Sequence, residues 1–96
     1  MGLSVQYTDT FEFTFKTLVE FIQENWGEKV TNEFVKETDK VIQLITTFPL
    51  MYKSSSFDNN VREAPVNKLS SLFYEVTADH ITLLYIVDSR QEPFWL

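Results

Sequence analysis

Three cations in the second half of the chain are the residues whose chemistry could act on a ligand. The protein has 96 residues and eight lysines and arginines, of which Arg62, Lys68 and Arg90 lie among the predicted strands. An arginine fork binds a phosphate through two parallel hydrogen bonds, and a lysine adds a point charge. If antiparallel neighbours bring these side chains together, they could hold one phosphate. Ordinary ion pairs with nearby carboxylates are the alternative that the residues leave open.

Motifs of the common enzyme classes do not occur in the sequence. The chain contains no P-loop, no GxGxxG, no HExxH and no nucleophile elbow. It has no cysteine and a single histidine, His80. This composition rules out thiolate zinc sites and disulfides, and it argues against a transition-metal site. We therefore expect no metal and no other cofactor.

Composition and charge limit the function further. The chain is 44% hydrophobic and 23% charged, which is typical of a globular protein, and its length predicts one domain over residues 1–96. The formal net charge of −6 argues against a general nucleic-acid binder, because such proteins need a basic surface. No apolar run approaches the ~18 residues of a membrane span, and the first residues lack the features of a signal peptide. We expect a cytoplasmic protein without membrane contact.

The first half of the chain must supply the helices that support these residues. Residues 3–7 alternate apolar and polar side chains, which predicts a short strand. A helical stripe of apolar residues then runs to about Asn25, and a second stripe runs from about Val30 to Phe48. Gly27 interrupts the pattern between them, and Pro49 ends the second helix. Helices joined by so few residues pack as an antiparallel hairpin.

The second half predicts the strands that carry the three cations. A polar loop around residues 54–60 is followed by extended segments at 60–66, 72–77 and 81–88. The element order is strand, helix, helix, strand, strand, strand. This order predicts an α+β fold in which an antiparallel sheet has the helical hairpin packed on one face.

Apolar residues outside the predicted core are candidates for partner contacts. Phe13 falls on the side of the first helix opposite to the apolar stripe. The last strand is apolar on both faces, with Leu84 and Ile86 on the face opposite to Ile81 and Leu83. Such a strand is either central or covered by something else on its second face. A lone exposed phenylalanine is common, but Phe13, Leu84 and Ile86 could instead bind a partner.

Several segments, in their order and spacing, resemble the RelE/ParE toxin superfamily of bacterial type II toxin–antitoxin modules. These segments are 26–29, 44–49, 61–62, 65–68, 72–76 and 81–93. The resemblance covers about residues 4 to 93, and Arg62, Lys68 and Arg90 fall at basic positions of the family. It implies the family fold, which is a strand, a helical hairpin and a three-stranded meander.

The resemblance implies two kinds of activity and one kind of partner. RelE-like members are ribosome-dependent endoribonucleases that cut mRNA, whereas ParE-like members are associated with inhibition of DNA gyrase. Both are neutralised by a cognate antitoxin, and a homodimer or a heterotetramer with the antitoxin is the implied assembly. The resemblance thus implies a bacterial, plasmid-stabilisation type of toxin in which Arg62, Lys68 and Arg90 contact a phosphate or the target.

The acidic charge favours one of these activities. A negative field slows association with RNA, and the late catalytic His or Tyr of RelE-type sites has no secure counterpart in the tail around Phe94 and Trp95. We therefore expect growth inhibition by binding of a macromolecular target, as in gyrase inhibition. The alternatives are a metal-independent endoribonuclease of RelE type and a non-toxic interaction module on the same scaffold.

Overall fold

The secondary structure follows the predicted order closely. The computed structural model describes residues 3–91 of the chain. Its elements are β1 (Ser4–Tyr7), α1 (Asp9–Thr47), β2 (Val61–Pro65), β3 (Ser70–Val76) and β4 (His80–Asp88). Thr8 starts α1, because its side chain accepts a hydrogen bond from the Phe11 backbone nitrogen at 2.9 Å and so satisfies one of the free donors of the first turn.

Gly27 divides α1 into the two arms of the predicted hairpin. Its φ of 85° and ψ of −178° lie in a region that only glycine adopts without strain. A Cβ at this position would meet no atom within 4 Å, so the backbone angle rather than packing requires the glycine. The arms run antiparallel and pack on each other, as the stacked rings of Phe15 and Phe34 show. The Leu3 nitrogen, just before β1, donates to the Thr46 carbonyl at 3.0 Å, which places the end of the second arm beside the start of β1.

The sheet is mixed rather than wholly antiparallel. Its strand order is β1-β4-β3-β2; β2 and β3 are antiparallel, as are β3 and β4, whereas β1 is parallel to β4. The expected antiparallel arrangement is therefore wrong at the β1 edge. The two antiparallel arms return the chain to the end of the sheet at which β1 begins. The next strand, β2, therefore runs in the same direction as β1. Two further reversals give β4 that same direction.

A β-bulge in β4 changes which of its side chains face the helices. Phe73 pairs with Tyr85 and Tyr74 pairs with Leu83, so Leu84 is an extra residue on β4. Because paired residues share a face and neighbours alternate, Leu83 and Ile86 both face α1. The expectation that Ile86 lies opposite Leu83 is wrong, because the bulge shifts the alternation by one residue.

The core lies between α1 and one face of the sheet. Its fully buried members come from both arms and from β2, β3 and β4; they include Leu18, Ile45, Ala64, Leu72 and Ile81. Beyond the short β1, the first arm takes over the edge of β4. The Thr8 hydroxyl donates to the Leu84 carbonyl at 2.7 Å, and the Ile86 nitrogen donates to the Thr14 hydroxyl at 3.1 Å, which satisfies backbone groups that a longer strand would otherwise pair.

Among residues 3–91, no helix combines the length and the apolar character that a membrane crossing requires.

Candidate functional site

Arg90 lies just after β4 and is held on two sides. Its Nε and Nη2 donate to the two carboxylate oxygens of Asp88 at 2.8 and 2.6 Å, a bidentate geometry that favours a strong ion pair. Its Cζ lies 4.8 Å from the ring centroid of Trp26, which gives a cation–π contact with the tip of the helical hairpin. The guanidinium charge is therefore balanced within the fold.

Asp88 is the buried partner that fixes Arg90. Burial alone would raise the pKa of this carboxyl, but hydrogen bonds from Arg90 and Ser70 outweigh it and lower the pKa below its usual range. The hydrogen bonds from Asp88 in turn raise the pKa of Arg90. Arg90 and Asp88 thus form an ion pair that joins the end of β4 to β3, through Ser70, and to the hairpin, through Trp26.

Arg62 supports a different part of the fold. Its Nη1 donates to the Tyr52 carbonyl at 2.6 Å, which ties the segment after α1 to β2. Its neighbour across the strands is Tyr74, whose hydroxyl donates to the Pro49 carbonyl at 2.8 Å. Burial raises the pKa of Tyr74, and the nearby Arg62 charge opposes part of that rise. Arg62 therefore also makes internal contacts.

The fold brings two of the three predicted cations to one end of the sheet. Lys68 is exposed in the loop between β2 and β3, and the adjacent Leu69 carbonyl accepts a hydrogen bond from the Ser89 nitrogen at 2.8 Å, next to Arg90. Arg62, by contrast, pairs with Tyr74, which lies four residues after the start of β3. At ~3.3 Å per residue, it lies about 13 Å further along the sheet.

No histidine joins this cationic end within the part of the chain that the structure describes. Besides Asp88, the acidic group there is Glu37, which lies near Arg90 and accepts a hydrogen bond at its Oε1 from the Asn67 side chain at 3.4 Å. His80 begins β4, and its Nδ1 lies 2.9 Å from a carboxylate oxygen of Asp79 and 3.0 Å from the Thr77 hydroxyl. The hydrogen bond from His80 lowers the pKa of Asp79. This exposed turn and Arg90 lie at opposite ends of β4, about 25 Å apart by strand rise. Among residues 3–91, no group of three His, Cys, Asp or Glu side chains is placed so that it could hold a metal ion.

The three proposed partner contacts differ in accessibility. Phe13 is 70% exposed on the first arm of α1, as its position outside the apolar stripe predicts. Leu84 is half-buried at the bulge. Ile86 is only 2% exposed and belongs to the core, so a partner cannot contact it on the folded surface.

The face of the sheet turned away from α1 carries an apolar surface, but its apolar β4 residues are Tyr85 and Val87 rather than the predicted Leu84 and Ile86. We call it the open face; its three rows across β2, β3 and β4 are Glu63–Phe73–Tyr85, Val61–Glu75–Thr82 and Pro65–Ser71–Val87. Phe73 stacks on Tyr85 with ring centroids 4.7 Å apart, and Phe57 from the preceding loop packs against Phe73 at 5.9 Å. The bulge causes the difference in β4, because it moves Tyr85 and Val87 away from the core face.

The charges of the open face are acidic. Glu63 and Glu75 are its charged members, and none of the nine residues is a lysine or an arginine. Burial raises the pKa of Tyr85, and the Glu63 charge raises it further. Lys53 lies at the outer margin, where its carbonyl accepts a hydrogen bond from the Glu63 nitrogen. Within residues 3–91 the ion pairs are His80–Asp79 and Arg90–Asp88, so neither carboxylate of the open face has a cation partner there.

Comparison with known families decides what this scaffold is. Residues 5–93 match the model of the ParE toxin of type II toxin–antitoxin systems, parDE. The chain belongs to this family. It is a toxin of a type II toxin–antitoxin system, and the predicted kinship is confirmed. No curated protein matches the chain significantly.

Solved structures support the fold of this ParE-family toxin. The chromosomal ParDE toxin–antitoxin system from P. aeruginosa superposes with a TM-score of 0.75 at 14% identity, covering 90% of this chain and 95% of that one. The YoeB dimer from Staphylococcus aureus gives 0.64 at 16%, covering 88% and 94%. The E. coli DinJ–YafQ complex gives 0.64 at 11%, covering 94% and 96%. At these identities the likeness shows the fold, and the predicted α+β class is confirmed.

Proposed function

We propose that this ParE-family toxin inhibits growth by binding a protein target, with DNA gyrase as the candidate, and that a cognate antitoxin neutralises it. The observation that carries the proposal is the internal use of the arginines. Arg90 is paired with Asp88 and stacked on Trp26, and Arg62 donates to the Tyr52 carbonyl. Among the three predicted cations, Lys68 alone makes no such internal contact in the described structure.

Cleavage of RNA would need more than this surface offers. A metal-independent endoribonuclease requires free cations to bind the scissile phosphate and a base within hydrogen-bond reach of the 2′-hydroxyl. Here His80 lies at the far end of β4 from Lys68 and Arg90, and Glu37, the carboxylate near Arg90, already accepts a hydrogen bond from Asn67. The net charge of −6 opposes approach to the ribosome and its mRNA. A protein target makes no such demand, because protein interfaces tolerate either sign of charge.

An antitoxin partner has independent support. The structures that the fold resembles include toxin–antitoxin complexes, namely ParDE from P. aeruginosa and DinJ–YafQ from E. coli. By analogy, we propose a bacterial cytoplasmic module of the plasmid-stabilisation type. In it, residues 1–96 form one toxin domain, which assembles as a homodimer or as a heterotetramer with its antitoxin.

Two activity assays on the purified toxin test the proposal directly. We expect inhibition of gyrase supercoiling and no cleavage of mRNA on translating ribosomes, and we expect addition of the antitoxin to restore supercoiling. Cleavage without inhibition of supercoiling would favour the RelE-type alternative. If expression in the native host leaves growth unchanged and both assays are negative, the chain is a non-toxic interaction module and the proposal is wrong.

A further inference from the structure

We infer that the antitoxin binds the open face through a segment that carries apolar side chains flanked by lysines or arginines. This inference rests on the proposed function, because it assumes that an antitoxin exists. It adds to that function the surface of the toxin that is used and the chemistry of the partner. The apolar groups and the charges of the open face support it separately.

The apolar part of the open face, together with Phe57 from the adjoining loop, is a row of three aromatic rings. Phe73 lies at its centre, stacked on Tyr85 at 4.7 Å and covered on its other side by Phe57. Phe57 remains 64% exposed, and Val87 is also exposed. Aromatic side chains on a sheet have few rotamers to lose on binding, and such residues dominate the energetics of protein interfaces.

The charges of the same face specify a basic partner. Glu63 lies directly opposite Phe73 on β2, and Glu75 lies two residues beyond Phe73 on β3. A lysine or arginine of the bound segment could therefore form an ion pair with Glu63 or Glu75 while the apolar side chains of the segment pack on the aromatic row. The same charges disfavour binding of RNA to this face, because its phosphates would be repelled by the two carboxylates.

The outer surface of the helical hairpin is a less selective alternative. It is also acidic overall, but its exposed carboxylates are interspersed with four exposed lysines, at positions 16, 29, 36 and 40. Its most exposed aromatic residue, Phe13, has no ring partner among the aromatic pairs of the described residues. The open face instead combines stacked rings with two carboxylates and has no lysine or arginine among its nine residues, which is the better complement to a basic, apolar segment.

The test compares two charge reversals of equal size. The variant Glu63→Lys/Glu75→Lys alters the open face, and the matched control Glu24→Lys/Glu33→Lys alters exposed positions on α1. Binding is measured by titration calorimetry with the purified product of the gene adjacent to the toxin gene as the probe. We expect the open-face variant to bind at least about tenfold more weakly, and the control to stay within about twofold of the wild type. A third variant, Phe57→Ala, should also weaken binding about tenfold or more.

The outcomes separate the inference from the function on which it rests. If the wild-type toxin does not bind the probe, the proposed antitoxin partnership is wrong, and the inference fails with it. If the wild type binds but the control loses more affinity than the open-face variant, the antitoxin uses the hairpin and only the inference is overturned. It is also overturned if the open-face variants change the self-association of the toxin, or its affinity for gyrase, while their affinity for the probe stays intact.

Discussion

The cationic end of the sheet and the open face use their polar groups in opposite ways. At the cationic end, Arg90 is paired with a buried carboxylate and stacked on an indole ring. On the open face, Glu63 and Glu75 have no cation partner within residues 3–91 and lie beside the stacked rings of Phe73 and Tyr85. The arginine that could have bound a phosphate thus stabilises the fold. The two glutamates of the open face, which belong to no catalytic or binding motif, remain available to bind a partner.

This difference shows why residue type alone does not identify a binding surface. An arginine close in sequence to an aspartate is already neutralised before any ligand arrives, as Arg90 is by Asp88. A glutamate without a cation partner among the described residues, such as Glu63 opposite Phe73, leaves its carboxylate available to a partner.

Removal of Asp88 should have the largest effect. In Asp88→Ala, Arg90 loses its counter-charge and the buried Ser70 hydroxyl loses its acceptor. Breaking one half of a buried pair costs about 3 kcal/mol of the free energy of unfolding. Urea unfolding followed by circular dichroism measures this change.

The matched control for that prediction is the exposed pair at the other end of β4. Asp79→Ala removes a carboxylate that pairs with His80 in solvent, and exposed pairs contribute little to stability. We expect no measurable shift of its urea midpoint. Equal losses in the two variants would contradict the structural role that we assign to the Arg90–Asp88 pair.

Substitution of Gly27 should have the next largest effect. Gly27→Ala forces a side chain onto a backbone at φ 85° and ψ −178°, which costs about 2 kcal/mol of stability. The strain would also disturb the hairpin tip that holds Trp26 under Arg90. Gln23→Ala, at an exposed position of the first arm, should be neutral within about 0.5 kcal/mol in the same thermal-unfolding assay. A neutral Gly27→Ala would mean that the arms can turn without the left-handed residue.

Arg62 offers a smaller test of the same contrast. Arg62→Ala removes the hydrogen bond to the Tyr52 carbonyl, and a hydrogen bond from a charged donor contributes about 1.5 kcal/mol. If the role of Arg62 is structural, gyrase inhibition per folded molecule should persist in this variant at 20 °C. Loss of inhibition in a variant with native circular dichroism would instead identify Arg62 as a contact to the target.

Much of the fold could be predicted because its signals are local. The two apolar stripes with Gly27 between them specify the hairpin, and the alternation in the second half specifies the strands. The ion pair of Arg90 was also visible as an alternative, since Asp88 lies two residues away. The contact of Arg90 with Trp26 was not, because the two residues are far apart in the sequence and only the packed hairpin brings them together.

The β4 residues of the open face escaped prediction for a different physical reason. Residues 81–87 are apolar on both faces apart from Thr82, so a shift of one residue leaves the hydrophobic pattern unchanged. The pattern therefore could not reveal that Leu84 is an extra residue, or that Ile86 rather than Tyr85 enters the core. The direction of β1 was hidden in the same way, because a four-residue strand carries no signal for parallel or antiparallel pairing.

The smallest predicted effect is confined to acid and again concerns Asp88. The folded-state pKa of this carboxyl lies below its ordinary value of 3.8. The ionised form therefore stabilises the fold fully above that pH, and this contribution is lost as the pH falls through the folded-state pKa. The urea midpoint of the wild type should fall between pH 5 and pH 2.5, and that of Asp88→Asn should fall less. Other carboxylates titrate in both proteins, so the difference between the two slopes isolates Asp88. Parallel slopes would mean that Asp88 has the same proton affinity in the folded and unfolded chains, and that Arg90 is held mainly by Trp26.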